Sequence, residues 1–284
     1  MTFAAVVTTP RIWVDGVAAS ALPLPDRGLD FGDGLFETLL LKQGEPLLVD
    51  YHWQRLEAGL LTLQFPDNTL EHARQCLALA CDALHELSWA ALRLTITRGT
   101  APRGYAPPAQ AAPRVIISAA PLQQDRREPG SPAKVGWADI RWSAQPLLAG
   151  LKHANRLEQV LAAGEAQRRG LDEVVVLDQQ GDVSSVSAGN LFIVEGDRLR
   201  TPALETCGVA GTRRRFVIER LAPALALHCE ETHLSPADLE RADEIFYCNS
   251  LRGLQSVGEL GGTAFTRFPV CEALHQRYWE LITC

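Results

Sequence analysis

The pattern of hydrophobic and polar positions changes its period several times in the first 120 residues of the chain. The segments "RIWVDG", "ETLLLKQGEPLLVDYH", "ALRLTITRG" and "RVIISAAPL" predict strands bounded by turn residues. In "YHWQRLEAGLLTL" the apolar residues recur at helical spacing, and "LEHARQCLALACDAL" predicts a second helix. This part of the chain therefore predicts a domain that mixes strands and helices.

The remaining residues predict a second domain of the same mixed kind. "VGWADIRW" predicts a strand, a helix is expected to begin near Leu151, and "EVVVLDQQGDVSSVSAGNLFIVEGDRLRTP" predicts a series of hairpins. "GTRRRFVIERLAPALAL" predicts a helix, and "DEIFYCNSLRGLQSV" predicts a strand that runs into a loop. "QQDRREPGSPAK" has the polar, Pro- and Gly-bearing composition of a linker. We predict an α+β fold with domains at 1–120 and 133–284, joined by a linker at 121–132.

Composition and charge exclude several classes of function. With 284 residues, 46% hydrophobic and 21% charged, the chain is typical of a globular protein. Its net charge of −7 argues against nucleic acid or an anionic membrane as the main partner. Seven scattered cysteines without a CxxC pair indicate reduced thiols and no metal site. No apolar run is long enough to span a membrane, and "MTFAAVVTTP" lacks the basic start of a signal peptide, so we predict a cytoplasmic protein.

Lysine is rare in this chain, because only Lys42, Lys134 and Lys152 accompany a large number of arginines. Arginine serves as a surface charge equally well, but it does not lose its proton near neutral pH. A partly buried lysine can lose its proton and then becomes a nucleophile. Lys152, in "LLAGLKHANRLEQVL", is therefore either an ordinary surface lysine at the start of a helix or a reactive amine.

Seven motifs along the chain, none of them decisive alone, occur in an order that resembles one enzyme family. They are "DRGLDFGDGLFETL", "HWQRL", "TRGTAPRGY", "LKHANRLEQVLAAGEAQRRGLDEVVVLDQQGDV", "NLFIV", "CGVAGTRRRFVI" and "EIFYCNSLRG". Together they resemble the fold-type IV pyridoxal-phosphate enzymes, which comprise D-amino-acid and branched-chain aminotransferases and 4-amino-4-deoxychorismate lyase. The resemblance implies a small N-terminal α/β domain, a larger C-terminal domain and pyridoxal 5'-phosphate between them. It also implies a homodimer.

The resemblance assigns the cofactor-binding residues one by one. Lys152 matches the lysine that binds the cofactor as a Schiff base and then acts as a general base, so the C-terminal domain is expected to carry it. Arg55 matches the arginine on the cofactor phosphate, although a helix surface charge is the plain alternative. The amides of Thr212 and Arg213 are expected to bind the phosphate at the start of a helix. Ser250 matches a further phosphate-binding hydroxyl, and an ordinary turn serine is its alternative.

One position departs from the family pattern. Relatives place a glutamate five residues before the asparagine of "NLF", where it pairs with the protonated pyridine nitrogen, and this chain has Ser185 there. A serine can donate to an unprotonated nitrogen but cannot hold a proton on it, which weakens the ring as an electron sink. Because β-elimination depends less on this sink than transamination does, Ser185 favours a lyase. A degraded or repurposed site is the alternative.

The substrate-binding residues also follow from the resemblance. Arg103 and Tyr105 match positions that bind the substrate carboxylate in D-amino-acid aminotransferases. Phe36 stands where aminotransferases often have a tyrosine, and Thr38, on the same strand face, is a candidate proton donor to the leaving group. The predicted activity is the elimination of pyruvate from aminodeoxychorismate to give 4-aminobenzoate for folate synthesis. The alternatives are a D-amino-acid or branched-chain aminotransferase and a non-catalytic protein that binds the cofactor.

Overall fold

A computed structural model describes residues 11–123, 125 and 127–282. The segment "MTFAAVVTTP", from which we predicted the absence of a signal peptide, lies outside the described residues. The chain divides into two compact units. The first unit consists of Met1–Asp125 and Lys152–Asn155, and the second unit consists of Arg126–Leu151 and Arg156–Cys284.

The first unit is an antiparallel six-stranded sheet with helices packed on one face. Its strands are β1 (Arg11–Val14), β2 (Val17–Ala18), β3 (Gly34–Lys42), β4 (Glu45–Pro46), β5 (Trp89–Thr97) and β6 (Arg114–Pro121). Its helices are α1 (Arg27–Phe31), α2 (Val49–Thr62) and α3 (Thr69–Asp82). The strand order is β2-β1-β6-β5-β3-β4. The sequence predicts the longer strands and both longer helices. It does not predict α1 or β2, and it extends the hairpin after β3 into residues 49–52, where α2 has already begun.

Alternation along β3 divides its side chains between the two faces of this sheet. Leu35 and Leu39 are buried in a core cluster with Leu56 and Leu60 of α2. Successive residues of a strand point to opposite faces, so Phe36 and Thr38 lie on the face that is turned away from α2.

The second unit is built on a mixed nine-stranded sheet. Its strands are β7 (Ala133–Arg141), β8 (Glu173–Leu177), β9 (Val183–Val186), β10 (Asn190–Glu195), β11 (Arg198–Pro202), β12 (His228–Thr232), β13 (Glu244–Asn249), β14 (Gly253–Leu260) and β15 (Thr263–Ala264). Its helices are α4 (Leu157–Arg168), α5 (Thr212–Phe216), α6 (Ala222–Ala224), α7 (Pro236–Arg241) and α8 (Pro269–Ile282), and a π-helical turn (Val217–Leu221) joins α5 to α6. The order is β12-β11-β10-β13-β14-β7-β8-β9, with β15 beside β14. Mixed sheets with helices confirm the predicted α+β class.

The segment that carries Lys152 differs from its prediction. Helix α4 begins at Leu157 and not near Leu151. Residues 152–154 instead run antiparallel to the start of β3. The Phe36 N–H donates to the Lys152 carbonyl at 2.9 Å, and the Ala154 N–H donates to the Gly34 carbonyl at 2.9 Å. This pairing is available because β4 covers the same edge of β3 only at residues 41 and 42. The extended segment therefore belongs to the first unit, whereas the sequence assigned the lysine to the C-terminal domain.

Candidate active site

In the first unit, Lys152 lies directly across from Phe36 in the pairing with β3. Residues opposite each other in an antiparallel pair share a face, so Lys152, Phe36 and Thr38 lie on the same side of the sheet. The Lys152 Nζ is 4.4 Å from the centroid of the Phe36 ring, within the range of a cation–π contact. The lysine is half-buried, which suits an amine that must reach a bound molecule.

Arg93 is a cation of the same sheet face that the sequence analysis missed. It pairs with Thr38 across β3 and β5, and its guanidinium carbon lies 3.6 Å from the centroid of the Phe36 ring. Desolvation lowers the pKa of Arg93. The alternation in "ALRLTITRG", which leaves Arg93 and Thr95 on one face, is the signal that could have found it.

Arg55 lies on α2, where its guanidinium pairs with the carboxylate of Glu37. The Arg55 Nε donates to Glu37 Oε1 at 2.8 Å, and Nη2 donates to Oε2. The Nδ1 of His52 lies 2.6 Å from the same Oε2, and Glu37 is only 2% exposed. Burial raises the pKa of Glu37, but Arg55 and then His52 outweigh it and bring the pKa to about 2. The sequence predicted Arg55 without this carboxylate, because Glu37 is far from it along the chain.

Arg103 and Tyr105 lie in an exposed loop of the first unit. Tyr105 is 85% exposed, and Arg103 forms no hydrogen bond or ion pair with any described residue. The backbone of this loop is held by Arg27, whose Nη1 donates to the Gly104 carbonyl at 2.9 Å and whose Nη2 donates to the Tyr105 carbonyl at 2.7 Å. Asp33 in turn accepts from Arg27 Nε at 2.7 Å, so a buried ion pair anchors the loop backbone.

In the second unit, Ser185 lies on β9 and is 6% exposed. The indole N–H of Trp142 donates to its hydroxyl oxygen at 2.9 Å. The neighbouring Ser184 points to the other face, where its hydroxyl lies 3.4 Å from the Cys207 thiol. Ser185 is therefore a buried hydroxyl with an indole donor, a contact that the sequence did not predict.

The two residues predicted at the start of α5 lie near Ser250. Arg213 is 1% exposed, and its Nη2 lies 3.4 Å from the Ser250 carbonyl oxygen. Its Nη1 lies 3.5 Å from Thr212 Oγ1, at the long end of the hydrogen-bond range. Helix α5 begins after Gly211, an N-cap residue that has no side chain to cap the helix. A Cβ on Gly211 would meet Asn190 Oδ1 at 2.0 Å, so only glycine fits this approach.

Buried polar side chains shape the backbone around these residues. Glu173 accepts hydrogen bonds from the backbone N–H groups of Ser187 and Ala188 and from the Ser187 hydroxyl, in the turn between β9 and β10. Asn249 donates to the Ala188 carbonyl at 3.0 Å and accepts from two backbone N–H groups of the turn that contains Ser250. Glu173 and Asn249 thus connect the turn after Ser185 to the turn of Ser250.

The described residues contain no group of three or more His, Cys, Asp or Glu side chains that could hold a metal ion. Among the same residues, no helix is both long and apolar enough to cross a membrane.

The fold and the lysine beside β3 define an amino-transferase class IV protein. The model of this family matches residues 34–260, so the chain belongs to the family, as its motifs predicted.

Proteins that resemble this chain include lyases and aminotransferases. The aminodeoxychorismate lyase of Vibrio harveyi is 36% identical over 248 residues, which cover 86% of this chain and 89% of that protein. The crystal structure of 4-amino-4-deoxychorismate lyase from Pseudomonas aeruginosa is 39% identical, with a TM-score of 0.88 over 95% of this chain and 98% of that chain. The branched-chain amino acid aminotransferase of Escherichia coli is 25% identical, with a TM-score of 0.84 over 96% and 94% of the two chains.

Proposed function

We propose that this protein is a pyridoxal-phosphate-dependent lyase that removes pyruvate from 4-amino-4-deoxychorismate and leaves 4-aminobenzoate. The observation that carries the proposal is Ser185, a buried hydroxyl at the position where the resemblance to the family implies a glutamate. The names of the Vibrio harveyi and Pseudomonas aeruginosa relatives support the same substrate.

The chemistry of the available donors fits this cofactor. Lys152 supplies the primary amine that an aldehyde needs, and Arg55 supplies a guanidinium for a phosphate. Ser185 supplies an O–H whose proton has no acceptor among the described residues, which suits a ring nitrogen. When bound, pyridoxal phosphate withdraws electrons from the carbon that bears the substrate amine and so acidifies its C–H bond.

Lys152 has two roles in the proposed reaction. Its amine would hold the cofactor covalently, and the same amine, when free, would accept the proton from C4 of the substrate. Its cation–π contact with Phe36 keeps the amine on one face of the sheet of the first unit. Thr38 lies two residues further on that face, and we propose that its hydroxyl donates a proton to the departing enolpyruvate oxygen.

Phosphate binding is assigned by the resemblance to the family. In the first unit, the guanidinium of Arg55, held in a fixed orientation by Glu37, is assigned a charge-assisted contact. In the second unit, the same resemblance assigns phosphate binding to the backbone N–H groups of Thr212 and Arg213 and to the hydroxyl of Ser250.

The substrate carries two carboxylates, and arginines are suited to bind them. Arg93 shares the sheet face of Phe36 and Thr38, so we assign it to one carboxylate. The loop of Arg103 and Tyr105, anchored through Arg27, is assigned to the other. Phe36 forms an apolar wall, because it lacks the hydroxyl that a tyrosine would bring.

An aminotransferase of the same fold is the second candidate. The family model and the Escherichia coli branched-chain aminotransferase favour it. A protein that binds the cofactor without catalysis is the third. The predicted homodimer and the cytoplasmic location stay predictions.

Product analysis separates these candidates. Purified protein loaded with pyridoxal phosphate is incubated with aminodeoxychorismate, and 4-aminobenzoate and pyruvate are measured in equal amounts over time. The Lys152→Ala variant is the negative control, and Lys134→Ala, which changes an exposed lysine paired with Glu259, is the matched control. If the protein exchanges amino groups between amino and keto acids and makes no 4-aminobenzoate, it is an aminotransferase and not a lyase. If it catalyses neither reaction, the non-catalytic hypothesis is the one supported.

A further inference from the structure

The indole of Trp142 is fixed in the interior of the second unit. Trp142 follows β7, is buried, and packs against Ala162, Val174 and Val176. Its backbone N–H donates to the Leu177 carbonyl at 2.9 Å, and its carbonyl accepts from Gln179 Nε2 at 3.0 Å. With the backbone and the ring both held, the indole N–H keeps its direction toward Ser185.

The hydrogen bond between these two residues can run only one way. An indole nitrogen donates and does not accept, whereas a serine hydroxyl has one proton to donate and two lone pairs that accept. Trp142 therefore donates and occupies one lone pair of Ser185 Oγ at 2.9 Å. The hydroxyl proton remains, and no described residue accepts it. A buried donor without an acceptor is costly, so this proton points to an acceptor on a bound molecule.

We propose that Trp142 is a positioning residue that fixes Ser185 as a hydrogen-bond donor, and that the acceptor is an unprotonated aromatic ring nitrogen. The inference rests on the proposed function, in which this ring is the pyridine of pyridoxal phosphate. A carboxylate at residue 185 would accept a hydrogen bond from a protonated ring nitrogen, whereas Ser185 held by Trp142 would donate one to an unprotonated ring nitrogen. Because the indole occupies only one of the two lone pairs, the unsatisfied hydroxyl proton is what favours donation, and removal of the indole N–H frees a further lone pair for accepting from a protonated nitrogen.

The first test measures cofactor affinity and not turnover. Dissociation constants are compared for pyridoxal phosphate and for its analogue in which a C–H group replaces the ring nitrogen. The wild-type protein is expected to bind pyridoxal phosphate about three- to tenfold more tightly than the analogue, since one hydrogen bond is lost. Ser185→Ala is expected to bind both equally. Equal binding by the wild-type protein would overturn the proposal.

The second test addresses Trp142 itself. Trp142→Phe keeps an aromatic ring and removes the N–H. Trp137→Phe, on the preceding strand β7 and packed against a different cluster, is the matched control. With cofactor labelled with nitrogen-15 at the ring, the chemical shift at pH 7 reports the protonated fraction. We expect an unprotonated ring nitrogen in the wild-type and Trp137→Phe proteins, and a severalfold larger protonated fraction in Trp142→Phe.

A protonated ring nitrogen in the wild-type protein, or an identical shift in Trp142→Phe, would overturn the role of Trp142. If Trp142→Phe does not fold, the affinity comparison with Ser185→Ala still shows whether Ser185 bonds to the ring nitrogen, and the nitrogen-15 shift of the wild-type protein shows whether that nitrogen is unprotonated, as a donating Ser185 requires. Failure of the proposed function has a different outcome. If the protein binds the cofactor with an unprotonated ring nitrogen but makes no 4-aminobenzoate, the lyase function is refuted and the role of Trp142 and Ser185 stands. If the protein does not bind pyridoxal phosphate, both the lyase function and the role of Trp142 and Ser185 are refuted.

Discussion

Arg55 donates to both carboxylate oxygens of Glu37, with its Nε 2.8 Å from Oε1. Both side chains are largely buried, so the carboxylate compensates a buried charge, and the surface position that the sequence left as the alternative for Arg55 does not apply. The pairing also orients the guanidinium, which is the condition for a directed contact with a phosphate.

The first prediction concerns this phosphate contact. Arg55→Gln is expected to raise the dissociation constant of pyridoxal phosphate about tenfold to a hundredfold, because it removes a charge-assisted contact. Equilibrium dialysis measures the constant, and Arg74→Gln on the exposed side of α3 is the control. The unfolding midpoint is measured in parallel, because the substitution also removes the partner of Glu37. A lower midpoint with unchanged affinity would leave Arg55 with a structural role only.

The second prediction concerns stability against pH. The pKa of Glu37 falls from 4.5 to about 2 in the folded protein, so its ionised form stabilises the fold. This stabilisation is complete above pH 4.5 and is lost as the pH falls toward 2. Glu37→Gln is expected to lower the free energy of unfolding at pH 7 by about 3–5 kcal/mol and to flatten its dependence on pH in that window. Urea unfolding at a series of pH values checks both expectations, and an unchanged slope would contradict them.

The third prediction concerns the covalent bond to the cofactor. Borohydride treatment of the loaded protein is expected to attach the cofactor to a peptide that contains Lys152, and Lys152→Ala is expected to lose the adduct and the turnover. Peptide mass spectrometry locates the adduct. Its appearance on Lys42 or Lys134 would refute the assignment.

The fourth prediction concerns substrate recognition. Arg93→Gln is expected to raise KM for aminodeoxychorismate by at least about tenfold and to leave the affinity for pyridoxal phosphate unchanged, because it removes a charge-assisted contact to a carboxylate. Steady-state kinetics measure the effect, with Arg11→Gln on the exposed strand β1 as the control. Equal KM values for the two variants would exclude Arg93 from the substrate site.

The fifth prediction concerns residue 185 and the choice between two reactions. Ser185→Glu restores the carboxylate of the aminotransferases and is expected to favour a protonated ring, which is a stronger electron sink. With a D- or branched-chain amino acid, the variant is expected to convert its cofactor to the pyridoxamine form measurably faster than the wild-type protein. Absorbance followed over time measures the conversion. Rapid conversion by the wild-type protein would remove the main residue-level reason for preferring the lyase.

The local pattern of the sequence by itself determined most of the elements and the most distinctive candidate residues. Strand alternation predicted β5 and β6, apolar spacing predicted α2 and α3, and the scarcity of lysine singled out Lys152. The register of the motif before Asn190 identified Ser185 as a departure from the family. These inferences succeed because side-chain period and chemical type are properties of neighbouring residues along the chain.

The tertiary structure decided what these residues contact. Lys152 lies in an extended segment beside β3, where helical spacing had predicted the start of a helix, because an open strand edge offers backbone partners that local propensity does not encode. Glu37 and Trp142, the partners of Arg55 and Ser185, are distant from them in sequence. The packing of α2 on β3 brings the first pair together, and the strand order of the second sheet brings the second pair together. The direction of the Trp142 hydrogen bond, and with it the donor role of Ser185, follows from that non-local packing.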